Sequence, residues 1–384
     1  MHRDAFAAIA GVAESDLGVT PLSPLQLNAQ AVKRALDDAG LPLSAVDGIA
    51  TTGLSRFSAT LLAEYLGVRP TWTDSTMAGG SSFDLFVARA ARAIRLGLCE
   101  VAVVAYGSNQ RSARARRLGG VVETGVPSTE FEIPYAPLRP ISLYAMAAQR
   151  HMHEFGTTPE QLAEVAVAAR EWALLNPAAF SHDAGPLTID EVLASPFVSS
   201  PLHRLDCCLQ TDGGGAVVLT SLERARDLRR PPVLVLGDGE ASTQMGAMEI
   251  PDLTWTGASV SGPRALREAG VSAADIDVVE VYDSFTITVL LTLEGLGFCA
   301  RGESGSFVED GRTRPGGAFP LNTTGGGLSY GHPGMFGIFL VIEAVRQLRG
   351  EAGERQVPGA ELALCHGTGG ELSTHATVVL GVDR

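Results

Sequence analysis

The chain has almost no lysine. Of its 29 basic residues only Lys33 is one, and it shares the polar face of an amphipathic helical pattern with Arg34, Asp37 and Asp38. A Schiff-base aldolase or a pyridoxal-phosphate enzyme needs a buried amine nucleophile, so both classes are all but excluded. Positive charge as a whole is short. Against 43 acidic residues the formal net charge is −14, which argues against a nucleic-acid or anionic-membrane partner. Five cysteines, an odd number that includes the adjacent pair Cys207 and Cys208, give neither a disulfide framework nor a CxxC zinc pattern, and no metal site is expected. No segment has the apolar length of a bilayer span. The first residues, Met1-His2-Arg3-Asp4-Ala5, open no long apolar stretch of a signal peptide, which leaves the cytoplasm as the default location. A phosphate loop is missing too: no Gly-Lys-Ser/Thr ending and no GxGxxG between a strand and a helix occurs.

What the chain does have is enough apolar content, 45%, with a mean hydropathy of +0.16, for two well-buried domains over 384 residues. An internal repeat organises it. Residues 34–47 (RALDDAGLPLSAVD) align without gaps to 264–277 (RALREAGVSAADID), with six of fourteen positions identical. Each copy reads as a helix, a glycine C-cap and the entry to a strand. A helical pattern at 82–96 followed by a strand at 101–106 has its counterpart in a helix at 336–348 followed by a strand at 362–364. Two α/β halves of similar topology follow, over about 1–222 and 232–384, joined by the Asp227 to Pro232 segment. The first half carries an insertion over roughly 110–200. It holds the basic run Arg111, Arg114, Arg116 and Arg117, a proline-bearing loop from Pro134 to Pro140, and two helices. That run reads as a solvated face or a dimer contact rather than a phosphate site.

The stretch richest in chemistry is Asn322-Thr323-Thr324-Gly325-Gly326-Gly327-Leu328-Ser329-Tyr330-Gly331-His332-Pro333-Gly334. Consecutive glycines permit positive φ and close backbone approach, and Pro333 fixes the chain just after the imidazole. His332 is thereby presented near a helix N-terminus, where N–H groups favour a developing negative charge such as an enolate. Taken alone, a tight turn around a packed histidine explains the run equally well.

The run resembles the Asn-x-x-Gly-Gly...Gly-His-Pro signature of the thiolase superfamily, and most closely its sterol-carrier-protein thiolase branch. Three further segments carry the resemblance in order along the chain. Thr76-Met77-Ala78-Gly79-Gly80-Ser81-Ser82 matches the segment of the nucleophilic cysteine, with Met77 in the cysteine's place; a thioether cannot attack a thioester. Val281-Tyr282-Asp283-Ser284-Phe285 matches the Asn-Glu-Ala-Phe or His-Asp-Cys-Phe motif, with Tyr282 replacing the group that holds an oxyanion water. Leu364-Cys365-His366-Gly367 matches the Cys-x-Gly motif, whose cysteine is the acid/base and whose glycine N–H completes an oxyanion hole.

The resemblance implies an α/β thiolase fold: two βαβαβαββ halves in a five-layer αβαβα sandwich with an inserted loop domain. It implies an acyl-CoA enzyme acting on a carbon–carbon bond, and the lost thiol points first to retro-aldol cleavage of a β-hydroxyacyl-CoA without a covalent acyl-cysteine. The alternatives are an acyltransferase with an unconventional nucleophile and a non-catalytic acyl-CoA or lipid-binding subunit. Tyr282 and Tyr330 are expected as acid and base, His332 at the oxyanion and Cys365 as the α-carbon acid/base. Gly367 and the backbone at Met77 are expected to donate to an oxyanion, and Asn322, Gly326 and Gly327 to line the substrate. Coenzyme A enters only as part of the substrate, with no covalently bound cofactor. A homodimer and a small OB-fold, zinc-ribbon partner protein are the expected associations.

Overall fold

Strands that bury both faces read as unbroken apolar runs, and this chain has several. The computed structural model describes residues 7–114 and 125–383; Arg116 and Arg117 of the basic run lie outside the described residues. In the first half β1 (Ala7–Glu14), β2 (Gly48–Thr51), β3 (Trp72–Asp74) and β4 (Val101–Ser108) alternate with α1 (Pro24–Ala39), α2 (Ser58–Leu66) and α3 (Ser82–Arg95). The insertion carries α4 (Pro127–Phe131), α5 (Ile141–Phe155), α6 (Pro159–Leu174), α7 (Ile189–Ala194) and the hairpin of β5 (Phe197–Ser199) and β6 (Leu202–His203). β7 (Gly213–Ser221) and α8 (Leu222–Arg226) complete the half. The second half runs β8 (Val233–Ser242), α9 (Ala258–Ala269), β9 (Val278–Val281), α10 (Thr286–Leu296) and α11 (Ser304–Phe307). It ends with α12 (Gly337–Arg349), β10 (Leu362–Gly369) and β11 (Thr374–Val382).

Nine strands form one mixed sheet in the order β3-β2-β4-β7-β1-β8-β11-β10-β9. The halves meet at β1 and β8, whose antiparallel ladder has two registered pairs, Ala8 with Leu234 and Ile9 with Val233. Alternation within the strands sorts the core into layers. Ala102, Val104 and Tyr106 of β4 face α3 and α12, whereas Val101, Val103 and Ala105 face α1 and α2. In the second half Val278, Ala363 and Val378 face α3 and α12, and Val279, Leu364 and Val379 face α9 and α10. One helix from each half therefore fills the middle of a five-layer αβαβα arrangement.

The repeated segments fold alike for local reasons. α1 is capped by the reciprocal Ser23–Gln26 capping box and stopped by Gly40 at φ 76°, and α9 is stopped by Gly270 at φ 70°. Each then passes through a short 3₁₀ turn into a buried parallel strand. The second half departs from the expected strand count. Where the first half has β3, the second has a single bridge from Leu321 to Val279. Pro320 has no N–H to give, and Asn322 turns away at φ 52°, so the ladder cannot extend.

Candidate active site

The site forms where the middle layer meets the C-terminal ends of the second-half strands. Tyr282 follows β9, and its backbone N–H donates to His366 O at 2.9 Å, which sets it level with the end of β10. Its ring packs so closely on the turn before α3 that a Cβ on Gly80 would lie 2.1 Å from Cε2; only glycine fits there. His332 comes from the glycine-rich run. Its N–H donates to Thr211 Oγ1 at 3.0 Å, the Thr211 N–H donates to His332 O, and the Tyr106 hydroxyl donates to Pro333 O at 2.6 Å.

These supports bring Tyr282 Oη and His332 Nε2 to 2.8 Å, with the rings edge to face at 89°. Phe336 stacks on His332 from the side of α12. Both groups of the pair are buried. Burial pushes the His332 imidazole down to about 4 and the Tyr282 phenol well above its ordinary value, the latter helped by Cys208, Tyr106 and Tyr144 nearby. Near neutral pH both are uncharged, and one proton lies between phenol and imidazole.

Asp283 holds the run in shape. Its Oδ1 accepts from Gly327 N–H at 2.6 Å and its Oδ2 from Leu328 N–H at 3.1 Å, while a Cβ on Gly326 would meet Oδ2 at 2.1 Å. Burial raises this carboxyl to about 7 against the pull of those two amides. Residues 326–330 wind as a five-residue π turn, which rotates successive side chains apart.

That rotation separates the expected site residues. The structure does not bring Tyr330 to the Tyr282–His332 pair: its hydroxyl donates to Glu14 Oε1 at 3.2 Å, beside the part-buried Glu14–Arg346 ion pair. Asn322 Oδ1 accepts from Val281 N–H at 2.7 Å, so its side chain secures the end of β9. Cys365 is fully buried, level with Glu280 in the parallel ladder, with its thiol on Leu340 O at 3.5 Å. Burial, with Asp84 and Glu280 nearby, raises that thiol far above its usual range. Gly367 lies two residues further along β10, just past the His366 carbonyl that accepts from Tyr282 N–H; a Cβ there would strike Asp84 Oδ2 at 2.2 Å.

Met77 is 52% exposed, its sulfur 3.8 Å from Thr52 Oγ1. The serines behind it are committed elsewhere. Ser81 Oγ donates to Ala78 O at 2.7 Å, and Ser82 Oγ accepts from Ala78 N–H at 2.8 Å. Among the described residues no group of three or more His, Cys, Asp or Glu side chains could hold a metal ion, and no helix is long and apolar enough to cross a membrane. Sequence reasoning missed Gly80, Asp283, Thr211 and Tyr106 as the frame of the pair. The one signal for them was the density of glycine opposite the two aromatic motifs.

Comparison with known proteins gives a consistent picture. Residues 239–382 match the family described as Thiolase C-terminal domain-like. The steroid side-chain-cleaving aldolase of Thermomonospora curvata is 36% identical over 98% of both chains. An acetyl-CoA acetyltransferase of Methanothermobacter thermautotrophicus is 35% identical over 96% of this chain and 98% of its own. Among solved structures, an Ltp2-ChsH2(DUF35) aldolase superposes with a TM-score of 0.90 at 35% identity, covering 99% of this chain and 98% of that one.

Proposed function

The chain belongs to the thiolase superfamily, in the sterol-carrier-protein-thiolase-like branch that has aldolase relatives, and from that premise we propose that it cleaves a β-hydroxyacyl-CoA by a retro-aldol reaction. The observation that carries the reading is the neutral Tyr282–His332 pair standing where the superfamily's cysteine chemistry would operate, with a half-exposed thioether at Met77 in place of a thiol.

In this reaction the β-hydroxyl gives up its proton, the Cα–Cβ bond breaks, and the β-carbon becomes a free carbonyl. The electron pair moves onto the acyl-CoA as an enolate, which is then protonated at the α-carbon. Tyr282 accepts the hydroxyl proton while passing its own to His332 Nε2, so no isolated phenolate forms in the buried site. The resulting imidazolium faces the developing enolate and stabilises it. The proton then returns through the pair to the α-carbon, and none is gained or lost overall. Gly367 N–H and the N-terminal end of α12 serve the enolate oxygen.

Acyl transfer, the activity named for one relative, needs a nucleophile. Ser81 and Ser82 are tied to Ala78, and Thr52, whose hydroxyl lies beside Met77, donates to Ser75 O at 3.3 Å. Two associations belong to the same reading. The short strand β3 lies at one edge of the sheet with Phe57, Tyr65 and Met77 exposed, which suits pairing with a second copy. The matched aldolase structure is an assembly with a DUF35 protein, so a small OB-fold, zinc-ribbon subunit is proposed here too, in the cytoplasm.

The test is to incubate the purified chain, alone and with such a subunit, with a β-hydroxyacyl-CoA and to measure release of free aldehyde or ketone. Release of carbonyl compound and shortened acyl-CoA in equal amounts supports the reading. No release, together with a Met77→Cys variant that gains thiolysis, overturns it.

A further inference from the structure

One hydroxyl stands between two carboxyl groups at the start of the glycine-rich run. Thr323 Oγ1 lies 2.9 Å from Glu280 Oε1 and 2.7 Å from Glu343 Oε1, and all three residues are fully buried. A hydroxyl has a single hydrogen, so it can donate to only one of these oxygens. The other contact is a hydrogen bond only if that carboxyl carries a proton and donates it to Thr323.

The surroundings decide which carboxyl that is. Glu343 accepts from Arg355 through two parallel bonds, Nε to Oε1 at 2.8 Å and Nη2 to Oε2 at 2.9 Å, the geometry of a charged pair. Glu280 forms no ion pair among the described residues. Its Oε1 accepts from Thr323 N–H at 3.0 Å, while its Oε2 has no partner. An ionised carboxylate with one bare oxygen in the interior costs far more than a neutral acid does. Burial raises the Glu280 carboxyl well above its ordinary value, and the charge of Glu343 acts in the same sense. The other ionisable groups facing it are Cys365, level with it in β10, and Asp283 just past the end of β9.

This contact belongs to the frame of the Tyr282–His332 pair. Glu280 grips Thr323, the Val281 N–H donates to Asn322 Oδ1 at 2.7 Å, and Asp283 accepts from Gly327 and Leu328. Tyr282 reaches His332 from between Val281 and Asp283.

We propose that Glu280 is a neutral carboxylic acid whose proton is donated to Thr323 Oγ1, and that this bond keeps the glycine-rich run in the register that holds His332 on Tyr282. Thr323 passes its own hydrogen to Glu343 and takes a second bond from Gln347 Nε2 at 2.9 Å, which uses both of its lone pairs. Glu280 is a positioning residue and touches no substrate. Its part in turnover rests on the lyase reading, whereas the placement of the proton does not. Loss of that proton in alkali leaves two carboxylates facing one hydroxyl hydrogen, and the grip on the run fails.

The test compares two chemically equal substitutions in the full chain. Glu280→Gln keeps the shape and donates an amide hydrogen to Thr323, so at neutral pH it should melt no lower than wild type. Glu343→Gln leaves the Arg355 charge unpaired and should melt lower by roughly 5 °C. Infrared difference spectra at neutral pH, wild type minus Glu280→Gln, should show the carbonyl band of a protonated carboxyl group. Because the folded protein holds a proton that the unfolded chain releases above 4.5, the folding constant of Glu280→Gln relative to wild type should rise with pH, by up to about tenfold per pH unit. An alkaline limb of kcat/KM in wild type should be absent in Glu280→Gln. Absence of the band overturns the proposal, as does a loss of stability in Glu280→Gln equal to that in Glu343→Gln. An alkaline limb unchanged by the substitution removes the positioning role. The expected band and melts without any carbonyl release would keep the proton on Glu280 and remove the retro-aldol reading. Carbonyl release from a protein that lacks the band would do the reverse.

Discussion

The ring of Tyr282 occupies the space in which residue 80 would carry a side chain. A Cβ at Gly80 would lie 2.1 Å from Cε2 of that ring and 2.4 Å from Thr368 O, and the second of these is backbone that cannot swing aside. Gly80→Ala should therefore push Tyr282 off His332. The expected cost is about 1–3 kcal/mol of stability, with a loss of lyase activity larger than that destabilisation accounts for. Thermal melts and kcat on the same preparation check it.

Tyr282→Phe keeps the ring and removes the hydroxyl. It should lower kcat/KM for retro-aldol cleavage by about 10²–10⁴, with a stability change near 1 kcal/mol for one lost hydrogen bond. His332→Asn should fall in the same activity range. A double variant no worse than either single one would show that the two act as one unit.

Tyr330→Phe is expected to change kcat/KM less than tenfold, because its hydroxyl serves Glu14 and not the pair. A loss as large as that of Tyr282→Phe would place Tyr330 in the chemistry.

The pH profile follows from burial. His332 is held at about 4 and Tyr282 well above 10, so the pair is neutral between them. Charging of His332 should not appear near 6.5: its inhibitory effect on kcat/KM should set in only as the pH falls toward 4. A limb near 6.5 that is absent in His332→Asn would contradict this.

Asp283 gives a stability signature of opposite sense. Its folded value of about 7 lies above the ordinary 3.8, so the fold holds a proton that the unfolded chain releases. The associated stability is complete below 3.8 and is lost as pH rises through 7, at up to about 1.4 kcal/mol per pH unit within that window. Asp283→Asn removes this dependence. Its stability relative to wild type should therefore improve steadily between pH 4 and 7 in denaturant titrations.

Much of this was legible in the sequence where the determinant is local. The repeat at 34–47 and 264–277 is a helix, a glycine stop and a strand entry, each set by neighbours within one or two turns. The motifs around Tyr282 and His332 were visible as well. The contact between them was not, because it spans 50 residues and depends on Gly80 and Thr211 from two other segments and on Asp283 reaching across to the glycine-rich run. Tyr330 shows the limit most clearly. Two positions from His332, it points to Glu14 as the last residue of a π turn, whereas His332 follows the extended Gly331, and no composition rule announces that winding. The depth of Cys365 was legible, since a lone cysteine after an apolar strand reads as core by default, but its level beside Glu280 is fixed by the register of β10 on β9.

The two-pair ladder between β1 and β8 is a narrow hinge-line for so large a sheet. Alignment of the halves must then come chiefly from α3 and α12 lying between them, one contributed by each. Gly80 is delivered by the first half, and Tyr282 and His332 by the second. The pocket is thus a vernier: a small slip of one half along the other would shift the phenol against its glycine. Fragments corresponding to the two halves, co-expressed, should regain lyase activity only when that slip is closed, which makes activity a reporter of reassembly.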